Sequence, residues 1–563
     1  MANGAEQAAL SRLLMWTAGL ATLIVLPKNT FDPINVPKLA VIAVGGFMAL
    51  GALVMQRRVL LGHRYRLVQI FAAAFILHLL LVLVLSGTNF NQEFFGTFGR
   101  ATGFVAYASL TFLLVAAVIS SQAAVLNRLS WTLIAAGGLS IGYGLIQAAD
   151  LDPMNWVSGY NPVIGFLGNP NFQSSFVGFN GVLVFTLLLS KKYSVLVRGV
   201  LLIDLVLSVI VIVATDSQQG LLVLAGGIAI VGFVWITKSK VKFLTIPAMI
   251  AGLIGAALVT LGSLNSGPLA SLLYKASVTY RGDYWQAGWK MTVEHPFFGV
   301  GLDSYGDWYR RARSVEATLR RGPDVVSNAA HNVLLDLSSN GGFPLLLIYL
   351  FMLGLVLVSS YKVFRRNQAF DPMFTGLFAV WIAYQAQSII SLNQLGLAVW
   401  GWIISGLLIG YEINTRPENS ESEVKIQAKK GKSASSTATQ KVSAGLLVGM
   451  FAGGLAGLGV GLPPLIASSQ FLSALKSQDP KLVQEAAYVS PLDPSYMYRI
   501  ADILVNNKLI AEATLVSNDA IKNFSDDYPL WAIRTRIEGL SQAEIDRAKA
   551  EMKRLDPNNP NLK

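Results

Sequence analysis

The chain has 563 residues, of which 53% are hydrophobic and only 13% charged. An average soluble domain carries about 25% charge, so the composition excludes an ordinary water-facing fold. The formal net charge of +12 does not point to nucleic acid, because Lys and Arg gather at the edges of apolar runs, and the absence of cysteine removes disulfides and thiolate metal sites.

Apolar runs near the length that crosses a hydrocarbon core of about 30 Å recur along the chain, and they are apolar all round rather than striped. They predict an all-α polytopic membrane protein with spans at 10–27, 37–56, 67–86, 102–120, 129–149, 173–190, 197–214, 220–237, 243–262, 343–360, 373–391 and 395–413, and a thirteenth at 442–462. Arg12 alone precedes the first run and no small-residue cleavage site follows, so a cleaved signal peptide is not expected.

Charge orients the spans. The connections 56–66, 190–198, 237–242 and 361–366 hold four, three, three and three Lys/Arg, and 120–128 holds one. Alternation puts all five on one side. The connections between them are nearly free of such residues, apart from two in PKNTFDPINVPK. By the positive-inside rule the N-terminus is expected in the cytoplasm, and the long connection 263–330 outside. Its 68 residues and eight Lys/Arg make it too long to obey that rule.

Four regions are therefore expected. Residues 1–413 form the membrane domain with an external loop at 263–342. Residues 414–441, polar and Ser/Thr/Lys-rich, form a flexible cytoplasmic linker. Residues 442–463 are the additional span, whose Gly/Ala content suits either close helix packing or a plain anchor. Residues 466–563 read as amphipathic helices on the outer side. Pro494, Pro529 and Pro560 stand roughly 34 residues apart, a period resembling tetratricopeptide repeats. Such modules usually bind a protein partner.

The chemistry is expected in 281–344, a wet, aromatic, arginine-rich stretch between two apolar runs, with two of the chain's four histidines. FGTFGRATGFVAY (95–107), GFLGNPNFQSSF (165–176), RGDYWQAGWKMTVEHPFFGVGLDSYG (281–306) and AHNVLLDLSSNGGFPLLL (330–347) occur in that order. This series resembles the O-antigen ligase and polymerase superfamily of bacterial membrane glycosyltransferases over about residues 10–413. The resemblance implies an inverting transfer, without metal or other cofactor, of a glycan from an undecaprenyl-pyrophosphate carrier to an acceptor hydroxyl. It places the protein in the bacterial cytoplasmic (inner) membrane, with the site and the tail extracytoplasmic. The expected partners are the lipid-linked donor, a glycan, lipid or protein acceptor, membrane lipids, and a protein partner for the tail.

The residue types fit that chemistry on their own terms. His331, just before the tenth span, has a side chain that takes a proton near neutral pH and suits a base for an attacking hydroxyl. The competing reading is a surface histidine at a helix start. Arg281 has the planar fork that grips phosphate oxygens in pairs. Arg100 is the only basic residue of its connection, and a charge at a membrane edge invites either a functional role or simple snorkelling. Asn332, Asn169 and Trp285 are further substrate-binding candidates, with helix capping and the membrane interface as their ordinary alternatives. Of Arg310, Arg311, Arg313, Arg320 and Arg321, at most one is expected to touch substrate, the others forming a solvated face. Gly341, Gly342 and Pro344 read as a structural turn.

The chain departs from the family at ATDSQQG (214–220). Many members carry arginine directly after that serine, whereas here Gln218 follows Ser217. Glutamine can hydrogen-bond a phosphate but adds no charge, so either another arginine substitutes or the phosphate is held less tightly. The outer carboxylates Glu93, Asp216, Asp283, Glu294, Asp303 and Asp307 show no metal-ligand spacing. The alternatives within the class are a lipid-linked glycan polymerase and a protein O-oligosaccharyltransferase. A lipid-linked glycan transporter is the alternative from another class, disfavoured because Asp204 and His78 are the main ionisable groups within the spans.

Overall fold

The computed structural model describes residues 4–154, 156, 161–416 and 441–562; of the expected linker, 417–440 lie outside the described residues. Every expected span is a helix. Among the described residues ten helices are long and apolar enough to cross a membrane, against the thirteen expected. The physical difference is length and polarity. Phe104–Ser120 and Pro372–Ser388 have 17 residues each, about 26 Å at 1.5 Å per residue, short of a ~30 Å core. Gly4–Leu23 carries Glu6, Gln7, Ser11 and Arg12. The protein is an all-helical multi-pass membrane protein with a helical C-terminal region.

Leu395–Asn414 is the hub of the bundle. It packs on Phe104–Ser120, Val333–Arg366, Gly4–Leu23 and Pro372–Ser388, and Trp400 and Trp402 are fully buried along it. Ala444–Ser477 lies along Asn35–Met55. Its glycines permit backbone contact: a Cβ on Gly453 would collide with the Phe47 carbonyl. The helix does not stop at 463. It continues through Pro463 and Pro464 to Ser477, beyond the expected end of the thirteenth span.

Three ionisable residues inside the bundle have structural work. Lys38 Nζ donates to the carbonyls of Ala21, Thr22 and Ile24 at 3.0, 2.8 and 3.1 Å, closing the end of the first helix. Asp204 accepts from Asn180 Nδ2 at 2.5 Å. His78 Nε2 meets the Gly341 carbonyl at 2.7 Å. That last bond marks a break in Val333–Arg366, where Gly342 adopts φ +72°. A side chain there would be strained, and its Cβ would lie 2.5 Å from the carbonyl carbon of Phe297. The Phe343 amide instead donates to Pro296 O at 2.8 Å. The kink joins the long loop to the bundle.

The basic connections meet at one end, where Lys238 Nζ reaches Phe364 O at 2.6 Å and Tyr65 OH donates to Asn414 at 2.8 Å. The long loop and the tail share the other end. The tail contains Pro480–Glu485, Pro494–Asn506, Ile510–Asn523, Tyr528–Arg534 and Gln542–Leu555. Pro494 and Pro529 lie in first helical turns, where a missing N–H costs nothing. The tail's core is shared with the membrane domain: Phe471 stacks on Tyr496 at 4.2 Å and meets Phe31, from the connection 24–34, at 4.8 Å.

Candidate functional site

The long loop folds as three helices around its own small core. Ala276–Glu294, Tyr305–Ala312 and Val315–Arg321 enclose Tyr284, Ala287, Met291, Tyr305 and Tyr309. Ser314 caps the third helix through the Ala317 amide at 3.1 Å. Asn332 caps Val333–Arg366, accepting from Leu334 and Leu335 amides at 3.0 and 3.2 Å. Its side chain is thus a helix cap, the ordinary use of asparagine at that position.

His331 precedes this cap with φ +51°, a strained backbone for a residue with a side chain. Asp336 holds it there: Oδ1 accepts from the Ala330 amide at 2.7 Å. The imidazole stacks on Tyr284, with centroids 5.4 Å apart. Burial first, then the fields of Arg281, Arg100 and Arg321, push its pKa down to about 3. The ring is therefore neutral at physiological pH, and a weaker base than a free imidazole as long as those fields act on it.

The arginines divide sharply. Arg100 is buried between two carboxylates, with Nε 2.9 Å from Asp303 Oδ1 and Nη2 3.7 Å from Asp336 Oδ2, and Nη1 donates to Asn328 O at 2.8 Å. Its charge is balanced inside the protein. Asp303 also receives the Thr97 and Thr102 amides at 2.8 and 3.1 Å, so the network fastens the 97–102 turn beneath the His331 segment. Arg313 and Arg310 turn to the tail and bind Asp556 at 2.7 and 3.0 Å. Arg311 faces Asp526 at 3.5 Å, and Arg320 pairs with Asp283 at 2.7 Å. Among the described residues Arg281 and Arg321 have no carboxylate partner, and both lie close enough to His331 to lower its basicity. Arg281 is itself partly buried, and burial lowers its pKa from the ordinary value; a guanidinium stays charged regardless.

Residues 204–350 match the family model described as O-Antigen ligase. This stretch is an O-antigen ligase family domain. No curated protein matches the chain. The domain contains Gln218, Arg281, Trp285, His331 and Asn332 among the expected site residues, whereas Arg100 and Asn169 come from outside it.

Within the O-antigen ligase domain, Trp285 lies one turn after Arg281 on the same helical face. Its indole N–H is buried without an acceptor among the described residues, an unsatisfied donor of the kind an oxyanion or sugar oxygen would occupy. Gln218 does not join this group through any recorded contact. It opens helix Gln218–Thr237 and its amide donates to Leu272 O at 2.6 Å. Asn169 caps helix Pro170–Leu188 through the Asn171 amide at 2.8 Å, and Asn171 in turn accepts from Ser217 Oγ at 2.8 Å. These contacts tie the 169–171 and 217–218 segments together at the loop's end of the bundle.

Tyr284 is not among the sequence candidates, and Arg321 is only one of five arginines of which at most one is expected to touch substrate. Arg321 Nη1 contacts the Tyr284 hydroxyl, and its guanidinium lies 4.3 Å above the Tyr280 ring and 5.4 Å from that of Tyr284. The spacing of Arg281 and Tyr284, one helical turn apart, was the available signal. Nothing local to 310–321 distinguishes one arginine from the next.

Proposed function

We propose that the protein transfers a glycan from an undecaprenyl-pyrophosphate carrier to an acceptor hydroxyl, with inversion and without a metal ion, on the extracytoplasmic face of the bacterial inner membrane. The observation that carries this reading is a neutral imidazole beside cationic groups with no carboxylate partner, within an O-antigen ligase family domain. Arg281 grips the pyrophosphate and neutralises the charge that grows on it as the glycosidic bond breaks. His331 takes the proton of the acceptor hydroxyl as that oxygen attacks the anomeric carbon. Arg100 is a positioning residue that holds the His331 segment through Asp303 and Asp336. Trp285 contributes its buried N–H and a ring face to the donor.

The site couples its two halves electrostatically. The guanidiniums beside His331 suppress its basicity, and a bound pyrophosphate cancels their field. Donor binding therefore raises the affinity of His331 for a proton as the acceptor arrives. The tail, packed over the outer connections, selects the acceptor, which favours a polymer or a protein carrying the hydroxyl. Its helix pairs support the tetratricopeptide-like reading, with divisions near 413 and 441; the division at 463 moves to the end of the helix at Ser477.

Single-turnover transfer from a radiolabelled lipid-linked glycan, with protein in nanodiscs, tests the reaction. Activity should persist in chelator; loss restored by Mg²⁺ or Mn²⁺ would replace this scheme with a metal-assisted one. Reporter fusions test the sidedness: one after Gly267 should be active outside the cytoplasm and one in 414–441 inside it. A single side for both would overturn the topology. Movement of intact lipid-linked glycan across the bilayer without bond cleavage would favour the transporter instead.

A further inference from the structure

Arg321 is left over when the loop's charges are matched. Each of Arg100, Arg310, Arg311, Arg313 and Arg320 faces a carboxylate at 3.7 Å or less. Arg321, half-buried at the end of Val315–Arg321, faces none among the described residues. It meets the Tyr284 hydroxyl through Nη1 and lies over two tyrosine rings. A guanidinium has five N–H donors, so stacking fixes its plane and leaves further donors open at its edge.

Its surroundings point to an anion. Tyr284 carries Arg321 on its hydroxyl and His331 against its ring, and Arg281 lies one turn away on the same helix. Two partly buried cations around one tyrosine repel each other, and unpaired charge away from water is costly. The indole N–H of Trp285, on the Arg281 face, is buried and lacks an acceptor. An anion with several oxygens resolves all three deficits at once, whereas a single chloride would meet only part of them.

We propose that Arg321 is a second phosphate-binding residue of this site, gripping the lipid-linked diphosphate together with Arg281, with Tyr284 as the positioning residue that orients both Arg321 and His331. The inference rests on the glycosyl-transfer reading for the identity of the anion. It also supplies a charge that Gln218 cannot: the cation comes from the far end of the loop.

The test measures binding of undecaprenyl pyrophosphate, without glycan, to the full-length protein in nanodiscs. Arg321→Ala should weaken binding about ten- to hundredfold, the scale of one lost charge-assisted hydrogen-bond pair. Arg321→Lys should recover part of it, since a point charge replaces a fork incompletely. Lys290→Ala, which removes an exposed charge from the Arg281 helix, should bind as wild type does. Arg321→Ala should also move the acid limb of kcat/KM to higher pH by removing one cation beside His331, an effect that a merely structural role would not produce. Should Arg321→Ala misfold in detergent, Arg321→Gln keeps a donor for Tyr284 and must show the same loss. Binding within twofold of wild type for Arg321→Ala, alongside a clear loss for Arg281→Ala, overturns the inference and leaves the reading of the site intact. No loss in either variant overturns both.

Discussion

Two groups of arginines in one loop have opposite surroundings. Arg310 and Arg313 converge on Asp556 from the tail, and the side chains of Arg313 and Asp556 are 1% and 0% exposed. Arg321 meets the Tyr284 hydroxyl, Arg281 stands one helical turn before Tyr284, and both lie near His331 with no carboxylate partner among the described residues. The residue type is the same and the partner differs: paired cations fasten the loop, whereas the unpaired ones are those proposed above to meet an anion. Charge counting along the sequence cannot separate the two groups, because the deciding carboxylate lies 243 residues away.

The largest effect that would sharpen this contrast is on the chemistry. His331→Ala should slow single-turnover transfer roughly 10²–10⁴-fold while donor affinity stays close to wild type. Poor donor binding with normal turnover of bound donor would make His331 a binding residue instead. On the paired side, Asp556→Ala should release the tail from the loop. Removing one member of a buried ion pair costs about 3–5 kcal/mol, so the thermal transition should fall and limited proteolysis should reach 478–493 sooner. An unchanged protease pattern would mean that Arg310 and Arg313 do not fasten the tail.

Smaller effects follow at the unpaired side. Arg281→Ala should weaken undecaprenyl-pyrophosphate binding about ten- to hundredfold, with Arg281→Lys in between. The pH profile gives a subtler reading. Because the His331 pKa lies near 3, the imidazole of the free enzyme is deprotonated above that value, and kcat/KM should not fall on the acid side near pH 6.5 on its account. Donor binding raises that pKa, so the acid limb of kcat should lie at higher pH than that of kcat/KM. Coincident limbs would show that the two arginines do not act on His331 through the donor. The smallest change is expected at Gln218→Ala, roughly twofold in transfer, because its amide is bonded to Leu272 O rather than directed at His331.

Much of this architecture was legible in the chain. Hydropathy located every helix that the bundle uses, because a membrane core demands long apolar runs whatever their partners. Gly342 and Pro344 announced the turn that the structure shows as a kink. His331 and Arg281 were legible by residue type in one wet stretch; His331 stands just before a helix, whereas Arg281 lies inside the helix Ala276–Glu294. Other assignments depended on tertiary partners. Arg100 stood out as the only basic residue of its connection, with a functional role or snorkelling as its readings, and the structure pairs it with Asp303 and Asp336. Asn332 and Asn169 each stand just before a helix, where capping is the ordinary use of the side chain. Arg321 was hidden among four similar neighbours until each of those met its acid.

The contact between Arg313 and Asp556 also has a history in time. The loop leaves the ribosome 243 residues before its carboxylate does, roughly 12–50 seconds at ordinary rates of synthesis. Until then Arg310 and Arg313 have the loop's own carbonyls at Pro323 and Val325 to bond, and no carboxylate from the tail. The seam between loop and tail is thus the last part to be completed. A chain interrupted before residue 556 would carry Arg281, Arg321 and His331 and lack the carboxylate that ties the loop to the tail.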